Sequence, residues 1–164
     1  MIDMSVINLI FVNAELNLKI DLPIEQLKFV YRLCEESNPY ETGGIIIGNY
    51  SNDGSTAYIS EILTFPADSI KEKTFFKRGI KGLKKRLDML WNDGYYYVGE
   101  WHYHPDSIPT PSSSDIKQMI SFSQNKKLNC PEPILIIIGG TKNHWLHNVI
   151  VITNETIIPF DEVN

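Results

Sequence analysis

Tyr95-Tyr96-Tyr97-Val98-Gly99-Glu100-Trp101-His102-Tyr103-His104 is the stretch around which the rest of the chain organises. It is rich in strand formers and reads as a central β-strand. Residues two apart on a strand share a face. His102 and His104 therefore point together, and Trp101 and Tyr103 point the other way. Glu100 falls on the histidine side, where it either serves an imidazole nitrogen as an outer partner or faces solvent. Pro105 to Pro111 holds three prolines and must be a loop. Ser112-Ser113-Ser114-Asp115 then opens a helix whose inner face is Ile116, Met119 and Ile120. Asp115 follows His104 after ten intervening residues. Two imidazoles and a carboxylate are ligands of the kind a catalytic zinc uses, with a fourth position left for water. The same donors also suit other divalent metals. Ser112, three before Asp115, reads equally as a helix N-cap and as a hydroxyl presented to the site.

Upstream, Tyr40-Glu41-Thr42-Gly43-Gly44 leads into Ile45-Ile46-Ile47, a run that reads as a buried strand. Glu41 alone is an ordinary loop carboxylate. Gly43 and Gly44 give it interest, because they allow close backbone approach just after it. Residues 7–12 and 17–21 suit a hairpin, and Pro23 opens a helix running to about residue 37. Asn52-Asp53-Gly54 turns the chain so that residues 56–65 pair back antiparallel. Residues 73–77 read as a short strand, and Ile80, Leu83, Leu87 and Leu90 mark a second helix ended by Asn92-Asp93-Gly94. Residues 134–138 form a strand, Gly139-Gly140 turns the chain, and 145–152 and 156–160 make the last strands. The sum is an α+β class fold: a mixed, largely antiparallel β-sheet flanked by helices.

The 164 residues amount to one domain by length, 1–164, and 43% of them are apolar, enough for a core. The net charge of −5 argues against a protein devoted to nucleic acid. No apolar run reaches the length of a membrane span. The N-terminal segment lacks a basic n-region, so no secretory leader is expected. Cys34 and Cys130 lie in no CxxC pair, so no disulfide framework is expected and a reducing cytoplasm is favoured, and Cys34 falls on the apolar stripe of the first helix as a buried thiol.

Glu41-Thr42-Gly43-Gly44, with His102-Tyr103-His104-Pro105 and Ser112 through Asp115, resembles the JAMM motif of the JAB/MPN metalloproteases. Every element of that motif is present: Glu, then HxH, ten residues and Asp, with a serine three before it. The resemblance implies the cytidine-deaminase-like sheet of that family. It also implies zinc-dependent hydrolysis of peptide or isopeptide bonds, typically beyond the C-terminus of ubiquitin or a ubiquitin-like protein. By this likeness His102, His104 and Asp115 bind Zn²⁺, Glu41 is the general base and Ser112 donates to the oxyanion. Gly99 to Pro105, with Pro109, Pro111 and Ser112, is further similar to compact bacterial JAB proteins of CBASS anti-phage operons. Those deconjugate a nucleotidyltransferase from its targets.

Residues 71–86 carry eight basic side chains (Lys71, Lys73, Lys77, Arg78, Lys81, Lys84, Lys85, Arg86) against Glu72. A solvated helix face explains such a run, and so does a docking patch for an acidic partner. His144 and His147 lack a third nearby ligand, which argues against a second metal site. Two other functions fit the chain: a peptidase trimming a sulfur-carrier protein or a cell-wall peptide, and a non-catalytic MPN interaction module. The second of these would be marked by loss of Glu41 or Asp115, and both are present.

Overall fold

The computed structural model describes residues 7–163. The segment before residue 7, on which the expectation of no secretory leader rests, lies outside them. The chain runs β1 (Asn8–Asn13), β2 (Leu18–Pro23), α1 (Ile24–Ser37), β3 (Thr42–Tyr50), β4 (Thr56–Ile62), β5 (Ile70–Lys71), β6 (Phe76–Lys77), α2 (Leu83–Asn92), β7 (Tyr96–Tyr103), α3 (Ser113–Gln124), β8 (Ile134–Thr141), β9 (His144–Ile152) and β10 (Ile157–Val163). Among the described residues, no helix is long and apolar enough to cross a membrane.

The fold is mixed α+β, as the sequence pattern requires, but the sheet closes. Its strand order is β1-β10-β9-β8-β7-β3-β4-β2, with β1 and β2 paired to each other. The N-terminal hairpin is the closing piece. Its β1 pairs antiparallel with β10, and its β2 pairs parallel with β4. Both free edges are thereby covered, which removes the exposed strand backbone that invites aggregation. Every other pairing is antiparallel except β7 with β8.

Strand β7 lies between β3 and β8, so it is central, as its composition suggests. Trp101 and Tyr103 are fully buried in the largest apolar cluster, together with Leu27, Val30 and Cys34 of α1. The Trp101 indole N–H still finds a partner there, donating to Leu63 O at 2.8 Å. The opposite sheet face meets the other helices. Met119 of α3 packs on Leu135, Ile137, Ile150 and Ile152. Leu83, Leu87 and Leu90 of α2 pack near Ile45, Ile47 and Tyr97. Alternation along β7 is interrupted once. Ile46 pairs with Gly99 and Ile47 with Tyr97, leaving Val98 as an extra residue. Such a bulge re-aims the side chains around it. It brings Tyr97 onto the face of Glu100 and His102, although a strict period of two would have opposed them.

Three local expectations need correction. Of residues 73–77 only Phe76 and Lys77 are in a strand, β6, which pairs with β5 in a small separate hairpin, Ile70 opposite Lys77. Gly139 and Gly140 are inside β8, and the chain turns at residues 142–143. The third concerns the basic run. Arg78 is buried, Lys84 pairs with Asp88 at 2.6 Å, and Arg86 pairs with Glu61 at 2.8 Å. The Lys71 ammonium sits 4.2 Å from the Phe65 ring centre. The eight charges therefore do not form one free patch. Gly94, at φ 81°, ends α2 in the left-handed region as its position after Asn92-Asp93 suggests.

Candidate metal centre

The site is assembled where β3, β7 and α3 meet. Gly43 pairs with His102 and Thr42 with Tyr103, so Glu41 arrives at the end of the ladder beside His104. His104 lies one residue past β7, but its N–H still donates to Ile138 O at 2.8 Å. The Pro-rich loop that follows is pinned to the sheet. Gly140 N–H donates to Ser107 O at 2.8 Å, and Asn148 Nδ2 donates to Pro109 O at 3.1 Å. That loop delivers Ser112 to the start of α3 as an N-cap. Its Oγ accepts the Asp115 N–H at 3.0 Å, and Asp115 Oδ2 accepts the Ser112 N–H at 2.9 Å. This reciprocal capping box locks the Asp115 carboxylate at the helix entrance.

Asp115 then bridges both imidazoles. His102 Nδ1 lies 2.9 Å from Asp115 Oδ1, and His104 Nε2 lies 3.1 Å from Asp115 Oδ2. One donor atom from each of the three residues falls within 4.8 Å of the others. His102 is buried, and its Nε2 has no hydrogen-bond partner among the described residues. A buried polar atom left so is costly unless something else satisfies it. Two imidazoles, one of them with a ring nitrogen left unpartnered, and a carboxylate at this spacing fit a divalent ion of borderline softness, zinc among them.

Burial raises the Glu41 pKa, with the Asp115 charge adding and the two histidines opposing. For His104, burial lowers the pKa, but bonding and attraction to Asp115 and Glu41 outweigh it and the net direction is upward. Burial would raise Asp115, yet the hydrogen bonds from His102, His104 and the Ser112 N–H hold it well below the usual carboxylate range. A cavity of about 330 Å³ opens over these groups, lined by Glu41, His104, Ser112 and Asp115 on one side and Lys73 to Phe76 on another.

Glu100 fits neither of the readings its sequence position allowed. It is fully buried, and both its oxygens accept from Arg78 Nε at 2.9 Å. The Tyr97 hydroxyl donates to Oε1 at 2.8 Å. Burial pushes the Glu100 pKa up, while Arg78 and Tyr97 pull against it. The sequence also gave no sign of Phe76. Its ring packs edge-on against His102, with ring centres 5.6 Å apart. Gly43 makes the space for it, since a Cβ there would come within 2.6 Å of the Phe76 ring. His147 bonds Tyr31 Oη at 3.1 Å and Glu162 at 3.2 Å, and belongs to no metal cluster among the described residues. Cys34 is buried, as its place on the helix stripe predicts, Cys130 is buried as well, and both thiols are free. Burial raises the Cys130 pKa to about 11, which leaves that thiol protonated at neutral pH.

This fold and site define a class. A family model described as prokaryotic homologs of the JAB domain matches residues 25–150, and the chain belongs to that family. It is 50% identical over 107 residues to a protein named CD-NTase/cGAS isopeptidase from Enterobacter hormaechei subsp. hoffmannii (strain UCI 50), covering 65% of this chain and 59% of that protein. A protein of the same name from Escherichia coli (strain TW11681) is 31% identical over 109 residues, 65% of each chain. Another, from Vibrio cholerae serotype O1, is 26% identical over 119 residues, 71% of each. The chain thus spans under two thirds of the length of the first two relatives. The solution structure of a Desulfitobacterium hafniense protein superposes with a TM-score of 0.60 over 85% of this chain and 86% of that one. At 15% identity it speaks for the fold alone.

Proposed function

We propose that this chain is a JAMM-type zinc isopeptidase that hydrolyses the bond after the C-terminus of a ubiquitin-like or conjugated protein. Its place is the bacterial cytoplasm, as a deconjugase of CBASS anti-phage signalling, and residues 1–164 act as a single catalytic domain. One observation carries this reading. A half-buried carboxylate with a raised pKa, Glu41, shares a cavity wall with a His-His-Asp cluster in which His102 and Asp115 are buried. The name of the relatives, CD-NTase/cGAS isopeptidase, supports a conjugated protein as the substrate.

His102, His104 and Asp115 are the residues that would hold zinc. When bound, zinc lowers the pKa of a water toward about 7 and polarises the scissile carbonyl. Glu41 accepts the attacking water's proton at its carboxylate and returns one to the leaving amine nitrogen. A carboxyl group whose pKa is raised by burial suits both halves of that exchange. Ser112 uses a lone pair to cap α3, which leaves its O–H to donate to the developing oxyanion. We expect Ser112→Ala to lower kcat on the order of a hundredfold. The lost cap should cost about 1 kcal/mol of stability, read by thermal melting.

The substrate class is tested by comparing a protein fused through its C-terminus to a reporter with a free peptide of the same junction sequence. Cleavage of the fusion with little cleavage of the peptide is expected. The reverse preference would favour a peptide-trimming enzyme and defeat the deconjugase reading. The exposed lysines 73, 77, 81 and 85 are what remains of the basic run to face an acidic partner.

A further inference from the structure

We infer that Arg78 is a positioning residue: through its buried pair with Glu100 it clamps the β5–β6 hairpin onto the metal strand, and so sets both the histidine geometry and the backbone of Glu41. The inference rests on the metal-site reading above and deepens it.

Arg78 immediately follows β6, and its side chain is 4% exposed against 0% for Glu100. It touches two of the three elements that carry the site, β7 and α3. Its Nε reaches both Glu100 oxygens on β7, two residues before His102 and on the same face. Its guanidinium lies 4.7 Å from the Phe122 ring centre of α3, the helix that begins with Asp115. A further nitrogen donates to Gly79 O at 2.9 Å and fixes the chain just past the hairpin. The hairpin in turn reaches the site at two points. Phe76 packs on His102, and Glu72 O accepts the Glu41 N–H at 2.8 Å. Thr74 and Phe75 complete the cavity wall opposite the cluster. The Glu41 N–H is thus held by the hairpin.

A buried ion pair is poor evidence of stabilisation, since apolar replacement of both partners is often neutral or better. Removing one partner is different, because it strands the other charge. The pair here therefore has a reason to persist apart from stability: it joins a small hairpin with few contacts to the strand that carries the ligands. Lysine cannot replace this arginine, because a single ammonium does not span the geometry of the planar guanidinium.

The test uses Arg78→Met/Glu100→Met, which removes the pair without leaving a charge, and Arg78→Lys as the conservative variant. Exposed Arg86→Met/Glu61→Met is the control. Zinc affinity is read on purified protein by competition with a chromogenic chelator, Glu41 amide exchange by NMR, and kcat and KM on the protein fusion. Expected is a folded double variant with an unchanged thermal midpoint. Its zinc affinity should be weaker by about tenfold or more, as when an outer partner of a ligand is lost. The Glu41 amide should lose exchange protection, and kcat should fall about tenfold with KM steady. Arg78→Lys should follow it, and the control should match wild type. Wild-type zinc affinity and Glu41 protection in either folded Arg78 variant would overturn the inference. Both readouts are independent of turnover. A wild type that binds zinc and cleaves no fusion would defeat the functional reading and leave this one standing.

Discussion

Glu41→Gln is expected to lower kcat by about 10²- to 10⁴-fold, the range general acid–base residues contribute, while zinc binds as in wild type. The substitution keeps the size of the side chain and removes only its ability to take a proton. Burial raises the Glu41 pKa in the folded chain above that of the unfolded one. The sign of the linkage follows. The ionised form at neutral pH is held at a cost to folding, and that cost disappears as pH falls through the folded pKa. A neutral amide removes the cost, so the thermal midpoint of the zinc-free protein should not fall. Metal content by elemental analysis, single-turnover rate and melting temperature check the three parts. Full turnover with a full zinc complement would remove Glu41 from the mechanism.

Asp115→Asn should have the largest effect on metal binding. Asp115 accepts from both imidazoles and from the Ser112 N–H. An amide can keep part of the helix cap, but it is a poor ligand and orients neither ring by charge. Zinc affinity is expected to drop by more than the ten- to hundredfold typical of a lost outer partner. The consequence is visible in stability. Zinc at a hundred times its Kd adds about 2.7 kcal/mol to the wild type. For a chain of this size that is a rise of roughly 5–10 °C in melting temperature, reversed by a chelator. Asp115→Asn should show almost none of it. An equal zinc-dependent rise in the variant would mean that the ion sits elsewhere.

The parts of the site that could be read from the chain are those set by short-range geometry. His102 and His104 share a face because a strand alternates, and the structure keeps them within reach of one carboxylate. Ser112 and Asp115 form a capping box because Ser-x-x-Asp opens a helix, and that local device is also what holds the carboxylate toward the rings. The two short strands before Pro23, the helix after it and the strand after Gly43-Gly44 follow from the same rules. What misled was also local. Glycines at 139 and 140 look like a turn, yet they lie in β8, where Gly140 takes φ 78° and a Cβ on Gly139 would come within 3.0 Å of Pro109 N. Arg78 looked like one more solvated charge in a basic run, and it is instead buried against Glu100.

By itself, the sequence determined which chemistry was on offer: donor types, their spacing along one strand and one helix turn, and a candidate carboxylate far upstream. Tertiary structure alone decided that the sheet closes through the N-terminal hairpin and that the β3–β7 register delivers Glu41 to His104. It also decided that a hairpin held by Arg78 walls the cavity. The reason is one of range. Alternation and capping act over two to four residues and leave a pattern in the chain. Register, closure and buried ion pairs depend on surfaces that meet only after the core has formed, and these leave no periodic trace.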